Sequence, residues 1–185
     1  EFLKKDFRVV GTYYRKNIPQ PGILTLPCNV LSKEEVQLCM YAFKPDLVLY
    51  CVGLSNIRYC SEAPNMSDAL NSAGLYNVTE LAPRYGARVV YFSSHFVFSG
   101  ENKSYSEMDN PDVITNYGKA LASSEFYLQK SSLNYLIFRC CKMYGRGISP
   151  IKTPFFEHLQ RNLKENITAT YDDSIIDAIL KQGEF

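Results

Sequence analysis

The sequence predicts an α/β protein built on a parallel β-sheet with helices on both faces. Three observations carry this. Short apolar runs recur along the chain at Phe7–Tyr14, Leu47–Val52, Arg88–Phe92 and Tyr135–Arg139. Segments with helical start and stop signals lie between them. The Leu47–Val52 run is nearly continuous, as in a strand covered on both sides. Strands alternating with helices at this spacing make a parallel sheet, and such sheets bind ligands at the carboxyl ends of their strands. Val52, Gly53, Ser93, Ser94 and Cys140 lie at such ends.

In chain order, residues 1–6 resemble a helix tail and Phe7–Tyr14 a strand. A turn with Pro19, Pro21 and Gly22 precedes a second strand, Ile23–Pro27. Ser32 and Glu35 form a capping-box pattern that opens a helix running to Phe43, which Lys44-Pro45-Asp46 breaks. Leu47–Val52 is the next strand. Helix then dominates from Ala63 to Tyr85: Pro64 suits its first turn, Pro83 disturbs its last and Gly86 stops it. The strand at Arg88–Phe92, a polar loop over 101–115 and a helix from Asn116 to Lys130 follow. A strand at Tyr135–Arg139, a helix over 154–166 and a helical segment at 174–180 complete the reading.

At 185 residues with 46% apolar and 21% charged side chains, the chain can bury a core of its own. A net charge of +1 gives no reason to expect nucleic acid or a membrane surface as a partner. No apolar run approaches the roughly 20 residues that span a bilayer. The six cysteines (28, 39, 51, 60, 140 and 141) form no Cys-x-x-Cys pair and read as buried, reduced thiols of a cytoplasmic protein. The two histidines have no metal-ligand spacing, so no metal is expected. Asn65, Asn77, Asn102 and Asn166 begin glycosylation-type triplets, a pattern too short to carry weight without a secretory signal.

The most informative stretch runs from Arg88 to Glu125. A buried strand ends in Ser93-Ser94-His95-Phe96-Val97-Phe98-Ser99-Gly100, and a helix opens with Asn116-Tyr117-Gly118-Lys119-Ala120-Leu121. The strand would bring the Ser94 hydroxyl, and the helix the Tyr117 phenol, to one site. These motifs resemble the extended short-chain dehydrogenase/reductase superfamily, and within it the dTDP-4-dehydrorhamnose reductases. That family ends its strand in Ser-Thr/Ser-Asp-Tyr-Val-Phe-Asp-Gly and opens its helix with Tyr-Gly-x-x-Lys-Leu-x-x-Glu. Tyr117, Gly118 and Glu125 fall in register. Weaker likenesses extend from about Phe7 to Gly145.

The resemblance implies a Rossmann-type, doubly wound sheet. Residues 1–150 would form the NAD(P)-binding domain, and 151–185 part of a smaller substrate-binding region. The family's first strand and its Gly-x-x-Gly-x-x-Gly loop have no counterpart in this chain. The implied activity is NADPH-dependent reduction of a 4-keto-6-deoxy sugar nucleotide, with a homodimer compatible. Tyr117 would be the proton donor and Ser94 would orient the carbonyl oxygen. Arg15, Lys16, Asn29, Val52, Gly53, Ser93, Tyr117 and Cys140 would border the cofactor, and His95, Phe96, Val97 and Lys142 the substrate. Arg15 and Lys16, with no acid beside them, suit the 2′-phosphate of NADP, and NAD is the other choice.

One position departs from the pattern. Leu121 stands where the family has the lysine that lowers the phenol's pKa and holds the nicotinamide ribose. A phenol with an ordinary pKa near about 10 is a poor base at neutral pH without a nearby cation. Lys119 cannot substitute, because two residues turn about 200° around a helix. Lys142 could supply the charge. The alternative is a member that kept the fold and lost the chemistry, acting as a nucleotide-binding or regulatory subunit; the regulatory subunit of methionine adenosyltransferase is such a precedent in the family. Epimerisation or dehydration is a third possibility, against which the Ser-Ser-x-Phe-Val-Phe-x-Gly pattern speaks mildly.

Overall fold

Five strands appear in the computed structural model, which describes residues 3–17, 19–102, 104–131, 134–141 and 155–167. The chain divides into two compact units, Glu1–Cys141 and Lys142–Phe185. In the first unit the strands are β1 (Val10–Tyr13), β2 (Leu24–Pro27), β3 (Leu47–Tyr50), β4 (Arg88–Ser94) and β5 (Tyr135–Cys140). Every pairing among them is parallel, in two sheets ordered β1-β2 and β3-β4-β5. The doubly wound order is 3-2-1-4-5-6. The two sheets match its two sides, with no described strand in the place of the order's first.

Helix α1 (Lys33–Phe43) starts as expected, with the Ser32 hydroxyl accepting from the Glu35 N–H. The reciprocal half of the capping box goes elsewhere, because the Glu35 carboxylate accepts from the Asn29 N–H at 2.7 Å. Lys44 ends the helix in the left-handed conformation. A short helix absent from the sequence reading, α2 (Ile57–Glu62), is capped by Asn56. The long helical stretch that follows is not uniform. It is α3 (Pro64–Asp68), one π-helical turn (Ala69–Ala73), α4 (Gly74–Leu81) and a 3-10 turn (Ala82–Tyr85). Pro83 accounts for the last of these, since its missing N–H prevents a further α-helical bond, and Gly86 closes the turn at φ 66°. Thr115 caps α5 (Asn116–Lys130) through the Gly118 N–H at 2.9 Å. In the second unit, α6 spans Phe155–Lys164. The helix expected at 174–180 lies outside the described residues.

The core joins Tyr50, Val89 and Tyr91 of the sheet to Leu75, Val78 and Leu81 of α4 and to Leu121 and Leu128 of α5. Period-2 alternation sends the neighbouring side chains to the other face. There Leu47, Leu49, Phe92, Leu136 and Phe138 are exposed, and the rings of Phe92 and Phe138 stack 5.8 Å apart. Among the described residues of this unit, α1, α4 and α5 cover the face of the three-stranded sheet that carries Tyr50, Val89 and Tyr91.

One further expectation is corrected. Cys28 and Cys60 are buried, but Cys51 and Cys141 are exposed, so the cysteines are not uniformly core residues; all six are free thiols. Among the described residues no helix is long and apolar enough to cross a membrane, and no cluster of side chains could hold a metal ion.

Candidate functional site

The carboxyl end of β4 builds the site. The Ser94 hydroxyl caps a 3-10 turn over His95–Val97 by accepting from the Phe96 N–H. That turn receives the start of α5 at very close range. A methyl group on Gly118 would overlap the Phe96 carbonyl oxygen, so the glycine after Tyr117 is required by contact. The approach brings the Tyr117 ring edge-on to Phe96, with centroids 5.8 Å apart, and its phenol near enough to the Ser94 hydroxyl for the serine to act on its ionisation. The strand-end hydroxyl and the helix-start phenol thus lie on the same side of the 3-10 turn.

The electrostatics at the phenol differ from those of a lysine-assisted site. Burial pushes the Tyr117 pKa above its ordinary value. The Cys60 thiol pushes it further, the nearby Ser94 hydroxyl pulls it back, and the Cys140 thiol adds a smaller upward push. The groups that shift it include no cation. Leu121 is only 3% exposed and belongs to the hydrophobic core, so the face of α5 one turn beyond Tyr117 packs on the sheet. Lys119 points away, as expected, into a surface hollow with Pro64, Asp68, Asn116, Ala120 and Ser123. Lys142 lies outside the described residues.

His95 is half-buried beside the pair. Its Nδ1 lies 3.4 Å from the Ser94 Oγ and 3.4 Å from the Cys140 carbonyl oxygen, which ties the turn to the end of β5. The His95 ring also rests on Phe96, 4.3 Å between centroids. Val97 does not share this position. It is fully buried in the core, so of the three turn residues among the four expected to meet substrate only His95 and Phe96 are presented.

Ser93 faces the interior as well. Its hydroxyl donates to the Glu125 carboxylate at 2.5 Å, which commits that side chain to an internal network rather than to a cofactor. Glu125, 1% exposed, is the centre of this network. Arg139 donates to it from Nε at 3.1 and 3.2 Å and from a terminal nitrogen at 2.8 Å. The same guanidinium donates to the Asp109 carbonyl at 3.1 Å and lies over the Phe98 ring. One buried ion pair therefore joins β4, α5, β5 and the loop after the 3-10 turn. Glu125 was legible as a motif position and Arg139 as a strand residue, but their pairing was not.

The remaining candidates lie at other strand ends. Arg15 and Lys16 are exposed just beyond β1, the Arg15 guanidinium 5.1 Å above the Tyr14 ring. Asn29 follows β2 and turns its side-chain oxygen to the Leu31 N–H at 3.1 Å. Val52 and Gly53 are exposed beyond β3. Their loop is held by Asn71, a buried residue the sequence reading did not place at the site. The Asn71 side chain accepts from the Leu54 N–H at 2.8 Å and donates to the Leu54 carbonyl at 3.1 Å. Its oxygen occupies the space a side chain on Gly53 would need.

Comparison with known proteins agrees with this arrangement. The family model described as the RmlD substrate binding domain matches residues 2–173. Methionine adenosyltransferase 2 subunit beta of Rattus norvegicus is 27% identical over 145 residues, which cover 78% of this chain and 42% of the relative. The crystal structure of dTDP-4-dehydrorhamnose reductase from Bacillus anthracis in complex with NADP superposes with a TM-score of 0.72 at 22% identity, over 85% of this chain and 60% of that one. UDP-glucose 4-epimerase of Thermus thermophilus in complex with NAD gives a TM-score of 0.70 at 22% identity, over 80% and 52% of the two chains. The chain thus spans less than half the length of the curated relative and little more than half of the solved structures. The fold of those enzymes, the Ser94–Tyr117 pair and the family model lead to one statement: the chain belongs to the RmlD substrate-binding domain family.

Proposed function

We propose that the chain is part of an NADPH-dependent reductase of a 4-keto-6-deoxy sugar nucleotide. The observation that carries this reading is the meeting of the Ser94 hydroxyl and the Tyr117 phenol at the carboxyl end of β4. A bound reduced nicotinamide would supply a hydride to the keto carbon. Ser94 orients the keto oxygen and Tyr117 gives it a proton. The raised pKa of Tyr117 suits that direction, because the phenol stays protonated at neutral pH and the alkoxide it meets is far more basic. An epimerase or dehydratase would need the phenol as a base, which this environment disfavours. Exposed Arg15 and Lys16, with no acid beside them in the sequence, fit a 2′-phosphate and favour NADPH over NADH. The NADP and NAD complexes among the similar structures support a nicotinamide cofactor of either kind. Six free thiols support a reducing, cytoplasmic setting.

A second reading is favoured by one observation, the core position of Leu121 where the family has its lysine. On that reading the phenol is a hydrogen-bond donor in a protein that binds a nucleotide and does not turn it over. The matched relative that is named as a subunit supports it. The full-length protein decides between the two. NADPH oxidation in the presence of a dTDP-4-keto-6-deoxy sugar, lost in Tyr117→Phe, is the outcome expected of the reductase. NADPH binding without oxidation would overturn the reductase reading in favour of the binding protein.

A further inference from the structure

The side chain of Asn71, 2% exposed, pairs with both backbone groups of one residue in the loop beyond β3. Its Oδ1 accepts from the Leu54 N–H at 2.8 Å, and its Nδ2 donates to the Leu54 carbonyl at 3.1 Å. A neighbouring strand would offer the same two bonds, here at a point where β3 has already ended. The Nδ2 also donates to the Ser67 hydroxyl at 3.2 Å, and the buried Cys60 thiol donates to the Leu54 carbonyl at 3.5 Å. This arrangement explains Gly53. A methyl group there would stand 2.5 Å from the Asn71 Oδ1, so the bare side of the glycine faces Asn71. Val52 and Gly53 remain exposed.

We propose that Asn71 is a positioning residue for the nicotinamide cofactor, fixing through Gly53 and Leu54 the backbone that the cofactor meets beyond β3. This rests on the cofactor assigned above, whether the protein reduces a sugar or only binds. Two observations support it. Strands β3, β4 and β5 match strands 4, 5 and 6 of the doubly wound order, and β1 and β2 match strands 2 and 3. The order reverses beside strand 4, and ligands of such sheets lie in the crevice at that reversal. The loop beyond β3 is a wall of that crevice. Asn71 also lies in the π-helical turn at Ala69–Ala73, a departure from the α-helix that is frequent at functional sites. The backbone of that turn is tied to β3 and α5, since Tyr50 donates to the Leu70 carbonyl and Ser124 to that of Asn71. The side chain thus carries a firm anchor out to the loop. A loop already held in one conformation binds more tightly, because the cost of ordering it is not charged to the ligand.

The test measures dissociation constants for NADPH and NADH in the full-length protein by titration calorimetry, beside urea midpoints. Asn71→Ala removes both bonds to Leu54, and Gly53→Ala presses the loop away from Asn71. Each is expected to weaken the tighter cofactor by about tenfold or more. In the double variant the added methyl enters the space that Asn71 vacates, so affinity should be no lower than in Asn71→Ala alone. Val78→Ala truncates a core residue about two turns further along the same helical stretch, and should lose stability while binding as the natural protein does. Unchanged affinity in Asn71→Ala and Gly53→Ala overturns the proposal. An equal loss in Val78→Ala overturns it as well, because the effect would then be general loosening. A further loss in the double variant does the same, since Gly53 would then act on the cofactor and not through Asn71. If Asn71→Ala does not fold, Gly53→Ala against Val78→Ala decides alone. Cofactor binding without NADPH oxidation by a dTDP-4-keto-6-deoxy sugar sinks the reductase reading, and the affinities still decide the role of Asn71. A natural protein that binds neither cofactor overturns both.

Discussion

Gly118 and Glu125 show how single residues set this site. Any side chain on Gly118 would meet the Phe96 carbonyl and crowd the Thr115 hydroxyl, and backbone cannot yield as a side-chain tip can. Gly118→Ala is therefore expected to cost about 1–3 kcal/mol. It should also part Tyr117 from Ser94, read as a lower urea midpoint together with lost turnover. An unchanged midpoint would mean that the helix start is not pressed on the turn. Glu125→Gln leaves the Arg139 guanidinium without its carboxylate in a buried setting. Breaking a buried pair from one side costs on the order of 3–5 kcal/mol, so equilibrium unfolding should show a loss in that range. A loss below about 1 kcal/mol would place the pair in solvent-like surroundings.

At the scale of elements, the π-helical turn at Ala69–Ala73 is the feature around which the helical layer is arranged. A π turn displaces carbonyls from the regular ladder, and here hydroxyls from three other elements take them. Tyr50 donates to the Leu70 carbonyl at 3.2 Å, while Ser124 at 2.7 Å and Tyr91 at 3.5 Å donate to that of Asn71. The Asn71 side chain is then free to hold the loop beyond β3. Asn71→Ala is expected to cost about 1–3 kcal/mol through the unpaired Leu54 groups. Hydrogen exchange at the Leu54 amide should quicken with it, and an unchanged exchange rate would count against the clamp. Little of this was legible in sequence, because Ala69-Leu70-Asn71-Ser72-Ala73 breaks no helical rule. By contrast α5, from its tyrosine-glycine start to near Lys130, was legible, since the motif register marks where it opens. Ser93 and Val97 were misplaced for a different reason. Val97 stands within the 3-10 turn, where strand alternation is lost, whereas Ser93 keeps the parity of Val89 and Tyr91 and faces the core with them.

For the whole molecule, two buried phenols and one half-buried phenol make stability sensitive to alkali. Burial raises the pKa values of Tyr50, Tyr91 and Tyr117 in the folded state. The unfolded chain ionises its tyrosines near about 10, so above that pH the folded state holds more protons than the unfolded one. Their contribution is complete below about pH 10 and is lost as pH rises through the raised folded values. Urea midpoints measured between pH 8 and 11.5 should fall over the upper part of that range, and less steeply in Tyr50→Phe; a flat profile would contradict the burial of these phenols. The parallel sheet was legible from the alternation of strands and helices, whereas its division into two among the described residues was not, because an apolar run does not reveal which strand it pairs with. The claim on which the functional account depends is that Ser94 and Tyr117 act together on a carbonyl without the family's lysine. It is tested most directly by NADPH oxidation with a dTDP-4-keto-6-deoxy sugar in the full-length protein beside Ser94→Ala and Tyr117→Phe. The account expects turnover in the natural protein and a loss of 100-fold or more in each variant, on the order of one acid–base or oxyanion contact. Turnover that survives in Tyr117→Phe would contradict it.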